Sequence, residues 1–184
     1  MWMLVSMALA GDPPAIEAIR ARWNAVEAGT GPMCEDLEEP GQVRLDQRID
    51  WNPNDEQRPA IGPYADRIDV YRTWCHPEFV GPVVKVVHHR LISVREDTLT
   101  VLYDAKGAPL FVHDQGAERP EVRTYFDGGR AIRVVSRLGD RTETTDAPSG
   151  PVAAYAAGIY ALAQQLAARV GSPPEPPRHP WASP

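Results

Sequence analysis

The sequence predicts an α+β fold: an antiparallel β-meander sheet of five to seven strands, with an N-terminal and a C-terminal amphipathic helix packed on it. Three observations carry this expectation. Residues 98–113 and 121–135 are hairpins built on nearly one pattern. In each, a strand ends in an aromatic and an aspartate (Tyr103-Asp104, Phe126-Asp127), and a glycine turn follows (Gly107; Gly128-Gly129). Glycine supplies the positive φ angles that a tight reversal needs. Helical spacing of apolar residues occurs near the two ends of the chain. Between those ends no helix separates the strands, and a parallel sheet would require such crossovers.

The elements follow in chain order. Met1 to Ala10 is apolar and ends in Ala8-Leu9-Ala10, the small-x-small form of a leader-peptidase site, although no basic residue precedes it. Residues 1–10 therefore read as a truncated signal segment. Asp12-Pro13-Pro14 offers an N-cap followed by proline at the first helical position. Ile16, Ile19, Trp23 and Val26 then form one apolar stripe, and Gly29 stops the helix. Residues 30–41 read as loop, with the charge run Glu35-Asp36-Leu37-Glu38-Glu39 as a solvated face.

Val43, Leu45, Gln47 and Ile49 alternate with Arg44, Asp46 and Arg48, so residues 42–50 predict a half-buried strand. A long Pro- and Gly-punctuated loop runs to Tyr64, and a strand is expected over 67–74. In the next strand, 82–94, the alternation slips near His88-His89, which reads as a bulge or a sharp twist. The tandem hairpins follow. Residues 137–148 read as a polar linker. Ser149-Gly150-Pro151 opens the last helix, with Val152, Tyr155, Ile159, Leu162, Leu166 and Val170 on one face and Gly171 as its stop. Ala154, Gly158 and Ala161 would permit a close approach to a partner. One domain, residues 11–171, is the expectation, and 172–184 is a proline-rich disordered tail.

Composition excludes several functions. A net charge of −6 in 184 residues argues against nucleic acid as a partner. The apolar run of the last helix ends at Gln164, too short to span a membrane. Cys34 and Cys75, the two cysteines, suit one disulfide in an oxidising compartment. Together with the leader they point to a periplasmic or secreted bacterial protein. If the apolar start is instead a folded strand, the chain is a cytosolic interaction protein.

Candidate chemistry is sparse. His76, His88 and His89 lie on neighbouring strands, but adjacent strand residues face opposite sides and no metal-ligand spacing occurs, so no metal is expected. No cofactor fingerprint is present. Asp104 and Asp127 occupy matching places in the hairpins, yet aspartate before a turn glycine ordinarily bonds nearby backbone. A small envelope hydrolase would use these histidines with Asp104 or Asp127. The alternative, and the preferred expectation, is a non-catalytic binding or structural module whose partner is a small molecule or a protein. Its surface would be the aromatics Trp51, Tyr64, Tyr71, Trp74 and Phe79.

Overall fold

The computed structural model describes residues 12–34, 39–50, 64–76 and 79–171. They form a nine-stranded, wholly antiparallel meander in which each strand pairs with the next in sequence. The order is α1 (Pro14–Glu27), β1 (Thr30–Met33), β2 (Pro40–Asp50), β3 (Tyr64–His76), β4 (Phe79–Ile92), β5 (Arg95–Tyr103), β6 (Pro109–Gly116), β7 (Glu121–Asp127), β8 (Arg130–Leu138), β9 (Arg141–Asp146) and α2 (Gly150–Val170). The expected α+β class and the two flanking helices are present. The strand number is two higher than the expected upper bound, because residues 30–33 and 141–146 are strands and not loop or linker. Both are edge strands, paired on one side only, and β9 (Arg-Thr-Glu-Thr-Thr-Asp) is polar throughout. Short edges that carry Gly and Pro, as β1 does, or charge, as β9 does, resist further pairing, and for the same reason they show no alternating signal.

The helices pack on opposite faces of the sheet. Leu102, Phe111 and Tyr125 join the α1 residues Ile16, Ile19 and Val26 in one core. Their sequence neighbours Tyr103, Val112 and Phe126 join Ala156, Ala163 and Leu166 of α2 in the other. Successive strand residues point to opposite sides, so burial of both members of each pair requires a cover on each face. The same cause explains the slipped alternation in β4. Its register with β3 and β5 is unbroken at His88-His89, and the irregularities lie between Tyr71 and His76 of β3. Val84, Lys85 and Val86 are all buried because the sheet is covered on both sides there.

Both helices run across the strands. Asp12, just before α1, meets Arg133 of β8. Trp23 then packs edge-on against Phe111 of β6 with centroids 5.0 Å apart. Glu27 pairs with Lys85 of β4 at 2.9 Å, and Val43 of β2 donates to the Gly29 carbonyl at 2.8 Å. A 14-residue helix is roughly 21 Å long, close to the roughly 19 Å spanned by four strand spacings. The N-cap of α1 is Pro13, without a side-chain cap bond, so Asp12 is not the expected cap. Its carboxylate is instead drawn to Arg133 and Arg20.

α2 crosses in the same direction: Tyr160 packs at a tilt against Phe126 of β7, Tyr103 of β5 donates to the Ala163 carbonyl, and Arg72 of β3 donates to the Val170 carbonyl. Its buried stripe is Ala156, Ala163, Leu166 and Val170. The small residues expected to make the close approach, Ala154, Gly158 and Ala161, are exposed. The helix is rotated so that alanines meet the sheet, and Tyr155, Ile159 and Leu162 are left along its flank.

Cys34 and Cys75 form a disulfide, with Cα atoms 5.5 Å apart, that ties the β1–β2 corner to β3. Closing a loop of this length (41 positions) contributes about 4 kcal/mol on the chain-entropy account. No helix among the described residues is long and apolar enough to cross a membrane. The expected signal segment and proline-rich tail lie outside the described residues.

Candidate functional site

The register of the central strands builds a polar patch on the α2 side of the sheet. Asp66, Arg90, Asp97 and Gly116 are direct cross-strand neighbours on β3 to β6. The adjacent row is Ile68, His88, Leu99, Asp114 and Val122. Each polar member stands two residues, or a multiple of two, from a core residue of its own strand: Asp66 from Ile68, His88 from Val86, Asp97 from Leu99, Asp114 from Val112. These side chains therefore share the face on which α2 packs. Because α2 crosses the strands toward Arg72, it leaves this end of the face uncovered. The result is a cleft of about 400 Å³ between the sheet and the Tyr155–Ile159–Leu162 flank of the helix.

The cleft's acids are already engaged. Arg119 grips Asp114 with both Nη atoms, at 2.5 and 2.6 Å. The Tyr155 hydroxyl donates to the same carboxylate at 2.9 Å. The Arg119 Nε lies 3.4 Å from Asp97. These contacts, the Asp114 hydrogen bonds foremost, raise the Arg119 pKa above its ordinary value. Burial, reinforced by the Asp114 charge, pushes the Tyr155 phenol up. Gly116 makes the arrangement possible, because a β-carbon there would collide with the Arg119 and Asp97 side chains. His88 Nε2 lies 2.6 Å from Asp66 Oδ1. A carboxylate can only accept, so that ring nitrogen carries the proton.

Arg90 and Arg95 differ. Their nearest carboxylates are Asp97 at 3.6 Å and Glu118 at 3.8 Å, beyond hydrogen-bond range, and both side chains are about half exposed. Leu99, Ile159 and Leu162 complete the lining with apolar surface. The cleft thus combines a fixed ion-pair floor, an apolar wall and two arginines at the rim.

A second concavity of about 300 Å³ lies beside α1 on the other face, lined by Arg20, Trp23, Phe111, His113, Arg123 and Tyr125 among others. Its rings pack on one another: Phe111 and Tyr125 centroids are 4.9 Å apart, and the Arg20 guanidinium sits 5.7 Å over the Tyr125 ring. Its charges are paired locally, Arg20 with Asp12 and Arg123 with Glu121. Burial pushes the His113 imidazole below its usual pKa, against the opposing pull of Glu121. This concavity is the outer wall of the α1 core.

The residues singled out from sequence are dispersed. His88 and His89 are on opposite faces, and His89 is drawn to Asp69 at 3.7 Å on the α1 side. Asp104 is a turn residue: its Oδ1 accepts from the Lys106 and Ala108 amides, each at 2.8 Å. Asp127 is exposed at the end of β7. The histidines and these two aspartates therefore do not converge.

Of the aromatics, Tyr71 lies on the α1 side with the Lys85 ammonium 4.3 Å over its ring, and Phe79 is exposed. The Trp74 indole N–H is buried without a partner among the described residues. Trp51 lies outside the described residues, and Tyr64 and His76 are described as backbone only. No cluster of metal-ligating residues occurs among the described residues.

The residues that sequence reading missed are Asp66, Arg90, Arg95, Asp97, Asp114, Arg119 and Tyr155. A usable signal existed for most of them: polar residues in phase with the buried positions of their own strands.

Against known proteins, no family model, no curated protein and no solved structure matches the chain.

Proposed function

We propose that this chain is an exported binding module that acts without catalysis and holds a small molecule or a projecting group of a partner protein in the cleft beside α2. The observation that carries this reading is the division of labour inside the cleft. Asp114 and Asp97 are held by Arg119 and Tyr155, so they form a rigid floor and not a base awaiting a proton. Above that floor, the helix flank offers apolar surface and the rim offers two arginines without hydrogen bonds to described residues. Concave, partly apolar sites with a few placed polar groups are the usual form of ligand pockets.

The test is a thermal-shift panel on the full chain across anionic, cationic, sugar and apolar small molecules. At least one class is expected to raise the unfolding temperature. The substitution Leu162→Asp, on the exposed flank, is expected to abolish that rise without lowering the basal midpoint. A panel with no response, or a response indifferent to Leu162, overturns the site.

A hydrolase reading draws on one specific observation: His88, which lines the same cleft, is held by Asp66 as a base is by an orienting carboxylate. Hydrolysis of activated esters that disappears in His88→Ala would favour it over binding alone. Export rests on the disulfide, which oxidising compartments maintain, and on the apolar segment ending Ala8-Leu9-Ala10. Sequencing the N-terminus of the mature protein tests this directly, and an intact Met1 overturns it.

A further inference from the structure

We infer that the cleft beside α2 is built for an amphipathic anion, with an apolar body lying along Leu99, Ile159 and Leu162 and a single anionic head held by Arg90 and Arg95. This inference rests on the binding reading above and specifies its ligand class. The first argument is how the charges are paired. Asp97 and Asp114 are engaged by Arg119, and His88 by Asp66, so the charged groups lining the cleft that lack a hydrogen bond to a described residue are Arg90 and Arg95.

The second argument is which cations remain available. Arg119 has both Nη atoms on Asp114, so recruiting it would strand a carboxylate that is almost fully buried. Arg90 and Arg95 donate no hydrogen bond to a described residue, and their nearest carboxylates are 3.6 and 3.8 Å away. They flank Asp97 from the two strands of one hairpin, Arg90 as its cross-strand partner and Arg95 two residues before it. Two guanidiniums so placed can present a fork to one carboxylate or a head of similar geometry. Because Asp97 stands between them, a singly charged head is favoured over a multiply charged one.

The third argument is the apolar wall. Tyr155, Ile159 and Leu162 recur at four- and three-residue spacing, so they form one stripe along the helix. Leu162 is 39% exposed and Tyr155 38% exposed, on a helix whose other large apolar residues are buried or half-buried. A purely polar anion would leave this stripe wet, whereas an apolar body would cover it.

The experiment is isothermal titration of the full chain with decanoate, below its micelle concentration. Decan-1-ol (the same body without charge), butanoate (the same head with little body) and decyltrimethylammonium (the opposite charge) serve as comparisons. Decanoate is expected to bind at least about ten-fold tighter than each of the three. In the doubly substituted Arg90→Gln/Arg95→Gln protein, decanoate affinity should fall about ten-fold while that for decan-1-ol stays unchanged. Leu162→Ser should weaken both. The substituted side chains are about half exposed or are on the open flank, and an unchanged urea midpoint verifies the fold.

Equal binding of decanoate and decan-1-ol overturns the anionic head and leaves the binding reading standing. Absence of decanoate binding, with another class active in the thermal-shift panel, overturns the ligand class alone. Silence in both experiments overturns both. Cosedimentation with phosphatidylglycerol vesicles in the absence of decanoate binding also overturns the inference, because the anionic surface would then be a bilayer.

Discussion

The two faces of this sheet are crossed by helices running the same way, yet each face holds its helix by different physics. On the α2 face, sheet side chains hydrogen-bond directly to helix carbonyls: Tyr103 to Ala163 at 2.8 Å and Arg72 to Val170 at 2.7 Å. Alanines at 156 and 163 let the helix come close enough for those bonds. On the α1 face, rings fill the gap. Trp23, Phe111 and Tyr125 pack in the middle, and ion pairs to Arg133 and Lys85 hold the two ends. The close helix is fixed in rotation by buried polar bonds, and its flank is therefore a reliable wall for a cleft. The helix seated on rings is held by ion pairs at its two ends, and its concavity is the margin of a core.

The largest expected break in this comparison is Arg72→Ala. Arg72 is buried, its Nε lies 3.0 Å from an equally buried Asp46, and its other arm holds the end of α2. Removing one partner of a buried pair leaves an uncompensated charge and costs about 3–5 kcal/mol. The matching change on the α1 face, Lys85→Met, keeps the buried stem and removes the ammonium's bond to the half-exposed Glu27 and its place over the Tyr71 ring, which should cost about 1–2 kcal/mol. Urea unfolding of the two variants measures the contrast, and equal losses would erase the distinction between the faces.

Much of this architecture was legible in the sequence because burial writes periodicity. The stripe Ile16, Ile19, Trp23 and Val26 gave α1, and the glycine turns gave the meander; Gly107 and Gly129 adopt φ of +80° and +82°. What was lost had physical reasons. β1 and β9 are edges that bury little. The rotation of α2 depends on alanines, which hydropathy scarcely separates from its exposed alanines. The run Thr100-Val101-Leu102-Tyr103, apolar without alternation over its last three residues, was the available sign that both faces are covered. The site was hidden more deeply. Asp97 and Asp114 look like ordinary strand-end polar residues until the register sets them beside Arg90 and Arg119.

Gly116→Ala sharpens the comparison at the cleft itself. The added methyl would meet the Arg119 and Asp97 side chains, and overpacking of this kind costs about 1–3 kcal/mol. Part of that cost should be relieved by Arg119 swinging away from Asp114, so the variant should also lose decanoate affinity relative to the parent. A variant as stable as the parent and unaltered in binding would show that Arg119 does not organise the floor. Tyr103→Phe, on the same face but away from the cleft, removes one buried hydrogen bond to α2 and should cost about 1 kcal/mol in the same assay. It should leave binding unchanged.

The smallest expected effect separates the faces by pH. Burial lowers the pKa of His113, and burial followed by the nearby Arg67 charge lowers that of His89; both lie on the α1 side. A histidine whose native pKa is depressed binds fewer protons in the folded chain than in the unfolded one. Stability must therefore rise with pH across that interval. The contribution is fully present above the unfolded value near 6.5 and is lost as pH falls through the depressed native pKa. Glu121, which accepts from His113 at 2.8 Å, is itself held below the carboxylate range: burial pushes it up, but the bonds from His113 and Arg123 more than offset that. Its own loss thus begins at lower pH and does not blur the window. Urea midpoints measured from pH 7.5 to pH 5.0 should fall less steeply in His113→Gln than in the parent, and still less in the His89→Gln double variant. If the profiles superimpose, the α1 face does not carry the acid sensitivity, and the contrast between the faces is one of packing alone.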